Sequence, residues 1–435
     1  MSEFTSVNVE ASGGSPPWKG AGALRLIFAW RCDIIKFTQY FSRDRLCRLH
    51  NLIDPGVWKM SVYLDNAATT KPCEEAVSAA CNAMTENYGN PSSLHRAGLK
   101  AQLAVDSARK AIADSLGVDS GCIYFTSGAT ESNNLALRGA SAAYGRNRRK
   151  IVVSSVEHAS VSETAAFLEQ NGFEVVRVSP GEDGQFHAAD FVNACDETTC
   201  LLSMMMVNNE TGHILPVKQT FNAVKRKFPE IITHCDCVQG YMKLPVKASA
   251  LDADLISLSA HKIHGAKGVG ALYIRKGVRV RPIVTGGKQE KGIRSGTESV
   301  PLIAAFGAAV RKYNGNIGER FERASQLKSH LVNRVSSISE IAVNSPEDGS
   351  PYIINISVVG RRSEIMLHYL ESREIYVSSG SACSKGQQSG VLEEFGIRDK
   401  RADGALRISI TAETTEEELD IFASALHEGI VKVRS

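Results

Sequence analysis

The sequence predicts an α/β fold built on a doubly wound, mostly parallel sheet with helices on both faces, followed by a smaller α+β domain. Three observations predict it. Strand-length apolar runs alternate with helical apolar spacing from residue 73 to about residue 310, the pattern of successive βαβ units. The residues with chemical potential fall where those strands end, which is where ligands collect on such sheets. Beyond about residue 310 the alternation gives way to a long helical stretch, two strands and a last helix. A chain of 435 residues also exceeds the usual size of one core, which favours two lobes.

The elements follow from local pattern. Residues 96–116 have helical apolar spacing closed by Gly117, and Gly121 to Phe125 reads as a strand. A helix is expected over Glu131 to Arg138, a strand at Ile151 to Val153, and a helix from Val161 to Asn171 ended by Gly172. Strands follow at Glu174 to Val178 and Thr199 to Val207, then a helix over residues 217–228 and a strand from Ile231 to Cys235. Leu255 to Leu258 and Gly270 to Ile274 complete the strand set. The second domain is expected to hold one long helix over 301–335, strands near 353–358 and 405–410, and a helix over 415–432.

Composition excludes several classes. The chain is 43% hydrophobic and 22% charged with a formal net charge of +3, and its basic residues are interspersed with acids. That gives no electrostatic footprint for nucleic acid. No apolar run is long enough to span a bilayer, so no membrane is expected. The ten cysteines are scattered and read as reduced residues of a cytoplasmic protein. His234-Cys235-Asp236-Cys237 resembles a metal cluster, but strand alternation turns Asp236 away from both thiols and no second Cys/His pair follows, so no metal is expected. Residues 1–59 differ in character from the rest and are read as an extension or tag, with Met60 the expected natural start.

Lys262 closes Ser259-Ala260-His261-Lys262 after one apolar strand, and Asp236 closes the preceding one. An amine and a carboxylate so placed suit pyridoxal phosphate, which needs a Schiff-base partner and an acid to hold its ring nitrogen protonated. Ser259 and His261 are suited to a phosphate. Thr126-Ser127-Gly128-Ala129-Thr130-Glu131 leads from a strand into a helix, whose N-terminus favours an anion and equally allows a simple cap. His158 is either a structural histidine or a flat ring over the cofactor. Asn209 and Gln239 are either turn residues or hydrogen-bond partners of the cofactor's phenolic oxygen. Cys383 lies in a loop of small residues with Lys385 nearby, a setting for a reactive thiolate as well as for a plain cysteine. Arg407 alternates with apolar residues on a strand; it either faces solvent or aims its guanidinium at a substrate carboxylate.

Six motifs in order give a family resemblance: Tyr63-Leu64-Asp65-Asn66-Ala67-Ala68-Thr69-Thr70, the Thr126–Glu131 turn, Asn208-Asn209-Glu210-Thr211-Gly212, Ser259–Lys262, Arg294-Ser295-Gly296-Thr297-Glu298 and Ser378–Cys383. From about Val62 onward the chain resembles the NifS/IscS class of cysteine desulfurases, fold-type-I pyridoxal phosphate enzymes similar to selenocysteine lyases. The resemblance implies a seven-stranded sheet in a large domain over 76–310. It also implies a segment 60–75 packed on a small domain over 311–435 that carries the Cys383 loop. It implies that Lys262 binds the cofactor, Asp236 pairs with its ring nitrogen, Gln239 and Asn209 meet its phenolic oxygen, and His158 stacks on the ring as a catalytic group. Phosphate falls to Ala129, Thr130, Ser259 and His261, with Thr297 supplied across a homodimer. Arg407, with Asn209, takes the carboxylate of L-cysteine, and Cys383 takes its sulfur as a persulfide for an acceptor protein such as an iron–sulfur scaffold.

Departures from the family are Ala382-Cys383-Ser384-Lys385 and Thr411-Ala412-Glu413. Other readings are a selenocysteine lyase, an aminotransferase of the same fold, or a non-enzymatic sulfur carrier.

Overall fold

The computed structural model describes residues 61–379 and 390–432. The expectations for residues 1–59 and for Cys383 lie outside the described residues. The chain opens with the short strand β1 (Val62–Tyr63) and then builds a seven-stranded sheet. Its strands are β2 (Ile123–Thr126), β3 (Lys150–Ser154), β4 (Glu174–Val178), β5 (Thr199–Met205), β6 (Ile232–Asp236), β7 (Leu255–Ser259) and β8 (Gly270–Ile274). Their spatial order is β2-β8-β7-β6-β5-β3-β4, and only β8 runs against its neighbours.

Side-chain alternation explains why this sheet is buried on both faces. Val152, Leu202, Met204, Cys235, Ile256 and Leu258 join one core, under the helices Glu74–Thr85, Arg96–Leu116, Val217–Lys227 and Val300–Tyr313. Ile151, Val153, Leu201, Ile232, Leu255 and Leu272 join the other, under Ala129–Tyr144 and Ala159–Gln170. The helix Arg96–Leu116 stops at Gly117, which takes the left-handed conformation (φ 70°) that an L side chain resists.

A three-stranded antiparallel sheet follows, β9 (Ile341–Val343), β10 (Ile353–Val358) and β12 (Ala405–Ser409), in the order β12-β10-β9. Between them in sequence, β11 (Ile375–Tyr376) pairs in parallel with β1. The core here is Leu327, Leu331, Ile354, Ile356, Leu406, Ile408, Phe422 and Leu426, and Val62 and Leu64 from the start of the chain are fully buried in it.

The expected helix over 301–335 is two helices, Val300–Tyr313 and Ile317–Ser336. Asn314-Gly315-Asn316 breaks it, because glycine and asparagine carry the weakest backing for a continuous helical backbone among these residues. The expected helix at Glu131 to Arg138 is longer than its apolar stripe, Ala129–Tyr144.

Register sets the spacing of the site. Gly270 of β8 lies opposite Thr126 of β2 on one side and Ser259 of β7 on the other. This draws the loop after Thr126 and the end of β7 into one row. A Cβ at position 270 would fall 2.6 Å from the carbonyl carbon of Gly128 and 2.6 Å from the Leu258 oxygen. Gly270→Ala should therefore lose about 1–3 kcal/mol of stability, measured by denaturant unfolding, because only backbone surrounds the added methyl.

Candidate active site

The loop from Asp65 to Thr70 is the hub of the site. Lys262, in the single 3-10 turn Ala260–Lys262 after β7, donates from Nζ to the carbonyls of Ala67 (2.6 Å) and Ala68 (2.9 Å). Gln239 Nε2 donates to the same Ala67 oxygen at 2.9 Å. Thr70 donates from both N–H and Oγ1 to the carbonyl of His261, and Thr69 Oγ1 lies 3.2 Å from His261 Nδ1. On its other side the loop holds β12: Asn66 Nδ2 donates to the Ser409 carbonyl at 2.9 Å, and Asp65 pairs with Arg407 at 2.9 Å.

Asp236 ends β6 with its carboxylate buried. Asn133 Nδ2 donates to one oxygen at 2.7 Å and the Val238 N–H to the other at 2.9 Å. Asn133 also donates to Ser160 Oγ (2.8 Å), which lies 2.9 Å from His158 Nδ1. The Ser160 N–H donates to that same nitrogen at 3.1 Å, so His158 caps the helix Ala159–Gln170. Loss of water around the ring is the largest influence on His158 and lowers its pKa, Lys262 adds to this, and Asp236 opposes it. His158, Asp236 and Lys262 thus share one electrostatic environment, although His158 remains exposed by area.

Next to His158, Glu157 is buried; its Oε1 accepts from Ser154 Oγ and from the Met205 N–H, each at 2.6 Å, while Oε2 has no partner. Burial pushes its carboxyl up to about 8, against the Ser154 hydrogen bond.

The expected phosphate residues are grouped by the register described above. Ser259 is buried and its Oγ has no hydrogen-bond partner, an orphan that a phosphate oxygen would satisfy. His261 is held neutral, with a pKa of about 4, by burial and then by Lys262, Lys267 and Lys243. Ala129 and Thr130 begin the helix Ala129–Tyr144, whose first-turn N–H groups lack intrahelical acceptors. The chemistry of this donor set, with the orphan hydroxyl, fits pyridoxal phosphate. Thr297 is exposed, and no side-chain hydrogen bond among the described residues joins it to this group.

Arg407 on β12 is buried beside the hub and is not on a solvated face. It donates to the Asn209 carbonyl at 3.0 Å, while its Nε has no partner. Its backbone is bonded in both directions to Ser378, at 3.1 and 2.6 Å, five residues before Cys383 in the sequence. At most about 18 Å of extended chain separates Ser378 from Cys383.

Sequence reading missed Asn133, Ser160, Glu157 and the hub carbonyls as parts of the site. An asparagine in the second turn of an otherwise apolar helix face was the available signal for Asn133.

Residues 62–422 match the aminotransferase class-V family. The cysteine desulfurase IscS of Methanosarcina thermophila is 37% identical over 378 residues, covering 86% of this chain and 93% of that protein. A solved NifS-like protein superposes with a TM-score of 0.82 at 36% identity, over 86% of this chain and 100% of the other. The solved structure of SspA in complex with cysteine superposes with a TM-score of 0.73 at 30% identity, over 82% of this chain and 100% of the other.

The Glu157 shift has a consequence for stability. A carboxyl raised from 4.5 to about 8 on folding contributes stability that is present at low pH and lost as pH rises through about 8. Glu157→Gln should flatten that part of the stability profile and make the variant relatively more stable above pH 8. Thermal unfolding across this pH window checks it.

Proposed function

The chain belongs to the aminotransferase class-V family, and from that membership we propose that it is a cysteine desulfurase: it takes sulfur from L-cysteine, releases L-alanine and leaves a persulfide on Cys383. The observation that carries this reading is that Lys262 and Arg407 are held by one short segment, Asp65–Ala68. An amino acid whose carboxylate docks on Arg407 therefore presents its amine toward the Lys262 side of the hub. The likeness to proteins named cysteine desulfurase, and to one solved with cysteine, supports the substrate.

The proposed cofactor is pyridoxal phosphate, bound by Lys262. When bound, it supplies an electron-withdrawing ring that makes the Cα proton of an amino acid acidic. Asp236, fixed by Asn133 and the Val238 N–H, places negative charge for the ring nitrogen. His158 would pack on the ring; its Nδ1 accepts from the Ser160 N–H, which leaves Nε2 to carry the proton. Asn209 and Gln239 would serve the phenolic oxygen. Ala129, Thr130, Ser259 and His261 hold the phosphate together with Thr297 of the partner subunit. Lys262 Nζ serves as the base for the Cα proton, and Arg407 Nε–H gains an acceptor in the substrate carboxylate.

Cys383 reacts as the thiolate. A bond forms between its Sγ and the substrate sulfur as the substrate C–S bond breaks, and a proton replaces sulfur on the carbon that becomes the alanine methyl. Cysteine and one thiol thus become alanine and one persulfide, with no outside oxidant. The persulfide then passes to an acceptor protein such as an iron–sulfur scaffold.

A homodimer is part of the proposal. Val77, Met84, Tyr88, Leu94, Leu99 and Leu103 are exposed large apolar side chains on one stretch of chain, a surface a second copy would cover. No described helix is long and apolar enough to cross a membrane, and a cytoplasmic location is proposed.

Cys383→Ser tests the reading. The variant should keep the bound cofactor's absorbance but lose persulfide formation and turnover of L-cysteine to alanine, measured by mass spectrometry and amino-acid analysis. Undiminished alanine production would instead favour chemistry that does not use this thiol.

A further inference from the structure

A polar cavity lies against the 3-10 turn that carries Lys262. Lys243, Arg320, Tyr352, Lys262, His264 and Thr70 line it. Lys243 is 7% exposed, Arg320 9% and Tyr352 1%. Lys243 Nζ donates to Gln239 Oε1 at 2.9 Å, and Arg320 donates one N–H to the Met242 carbonyl at 3.2 Å while its guanidinium stacks on Tyr313. Arg320 Nε and the Tyr352 hydroxyl are buried without any partner. Among the described residues no carboxylate pairs with Lys243 or Arg320. Glu413 comes within 4.0 Å of His264 Nε2, but its side chain is 53% exposed and it reaches neither cation.

Two buried cations without a counter-charge are costly, and buried charges in proteins are as a rule paired. The groups still uncommitted around the cavity, an Arg N–H and a phenol O–H beside an ammonium, are all hydrogen-bond donors. Uncommitted donors lining one cavity beside an ammonium suit an anion. The cavity has room for one small species and not for an amino acid.

We infer that this cavity is a binding site for one small monovalent inorganic anion of halide size, held by Lys243, Arg320 and the Tyr352 hydroxyl. The anion neutralises the cation cluster behind the cofactor lysine. It keeps Lys243 protonated, where burial first and then Lys262, Arg320 and Arg407 otherwise lower its pKa to about 7. Lys262 lines this cavity as well as the site described above, but anion binding here does not depend on the sulfur chemistry.

Crystals of the full chain with its cofactor, soaked in bromide, give the direct test. Anomalous density in hydrogen-bond range of Lys243 Nζ, Arg320 Nε and Tyr352 Oη is expected. Occupied surface bromides beside a cavity that is empty or holds water overturn the inference. In solution, replacing gluconate by chloride at constant ionic strength should raise the melting temperature, and Arg320→Gln should abolish that chloride-specific rise. Equal melting in both salts for the unmodified protein also overturns it. Should Arg320→Gln not fold, Tyr352→Phe removes only the unpartnered hydroxyl, and at least a tenfold weaker chloride response is expected.

Discussion

The carbonyl oxygens of Ala67 and Ala68 decide where the reactive amine of this protein stands. Lys262 reaches them across 195 and 194 residues of sequence, and the same six-residue stretch binds Gln239, His261, Ser409 and Arg407. Charge-assisted contacts of this kind are each worth about 1.5–3 kcal/mol. Their greater effect is geometric, because the stretch belongs to neither sheet and touches the ends of both. β1, which leads into it, is clamped beside β11 and buried with the C-terminal core. The beginning of the described chain therefore fixes the distance between the large sheet's lysine and the small sheet's arginine.

Charge is partitioned around this hub. Apart from Asp65, which pairs with Arg407 in the hub itself, acidic groups lie on the β3–β6 side, where Asp236 is held by two donors and Glu157 is buried at the end of β3 with its proton favoured. Cationic groups, Lys243, Lys262, Arg320 and Arg407, lie on the side of the hub and the C-terminal strand, and each of the other three lowers the pKa of Lys243. Such a division suits a ligand with a cationic ring nitrogen at one end and several anionic groups at the other. Neutral His158 and His261 stand between the two regions, shifted downward chiefly by loss of water.

Much of this was legible in the sequence where it depends on local pattern. Strand-length apolar runs ending in Asp236 and Ser259–Lys262 placed the two most important groups at adjacent strand ends, and register confirms β6 and β7 as neighbours. The Asn314-Gly315-Asn316 break was visible but outweighed by the apolar periodicity on either side of it. The reversal of β8 was not legible, since a short apolar strand carries no sign of its direction. Asn133, Glu157 and Lys243 were not legible either. Each looks like an ordinary polar residue in its own segment, and its meaning comes from partners brought in by other elements: Asp236 for Asn133, the Met205 N–H for Glu157, Arg320 and Tyr352 for Lys243.

Lys243 supplies the sharpest rival to Lys262. It is buried nearby, and burial with the neighbouring cations lowers its pKa to about 7. What favours Lys262 is position, at the end of β7 on the hub and in the electrostatic reach of Asp236's neighbour His158. Borohydride reduction of the cofactor-loaded protein, followed by peptide mapping, separates the two. Label on Lys262 is the expected result; label on Lys243 or any other lysine would contradict the site described here.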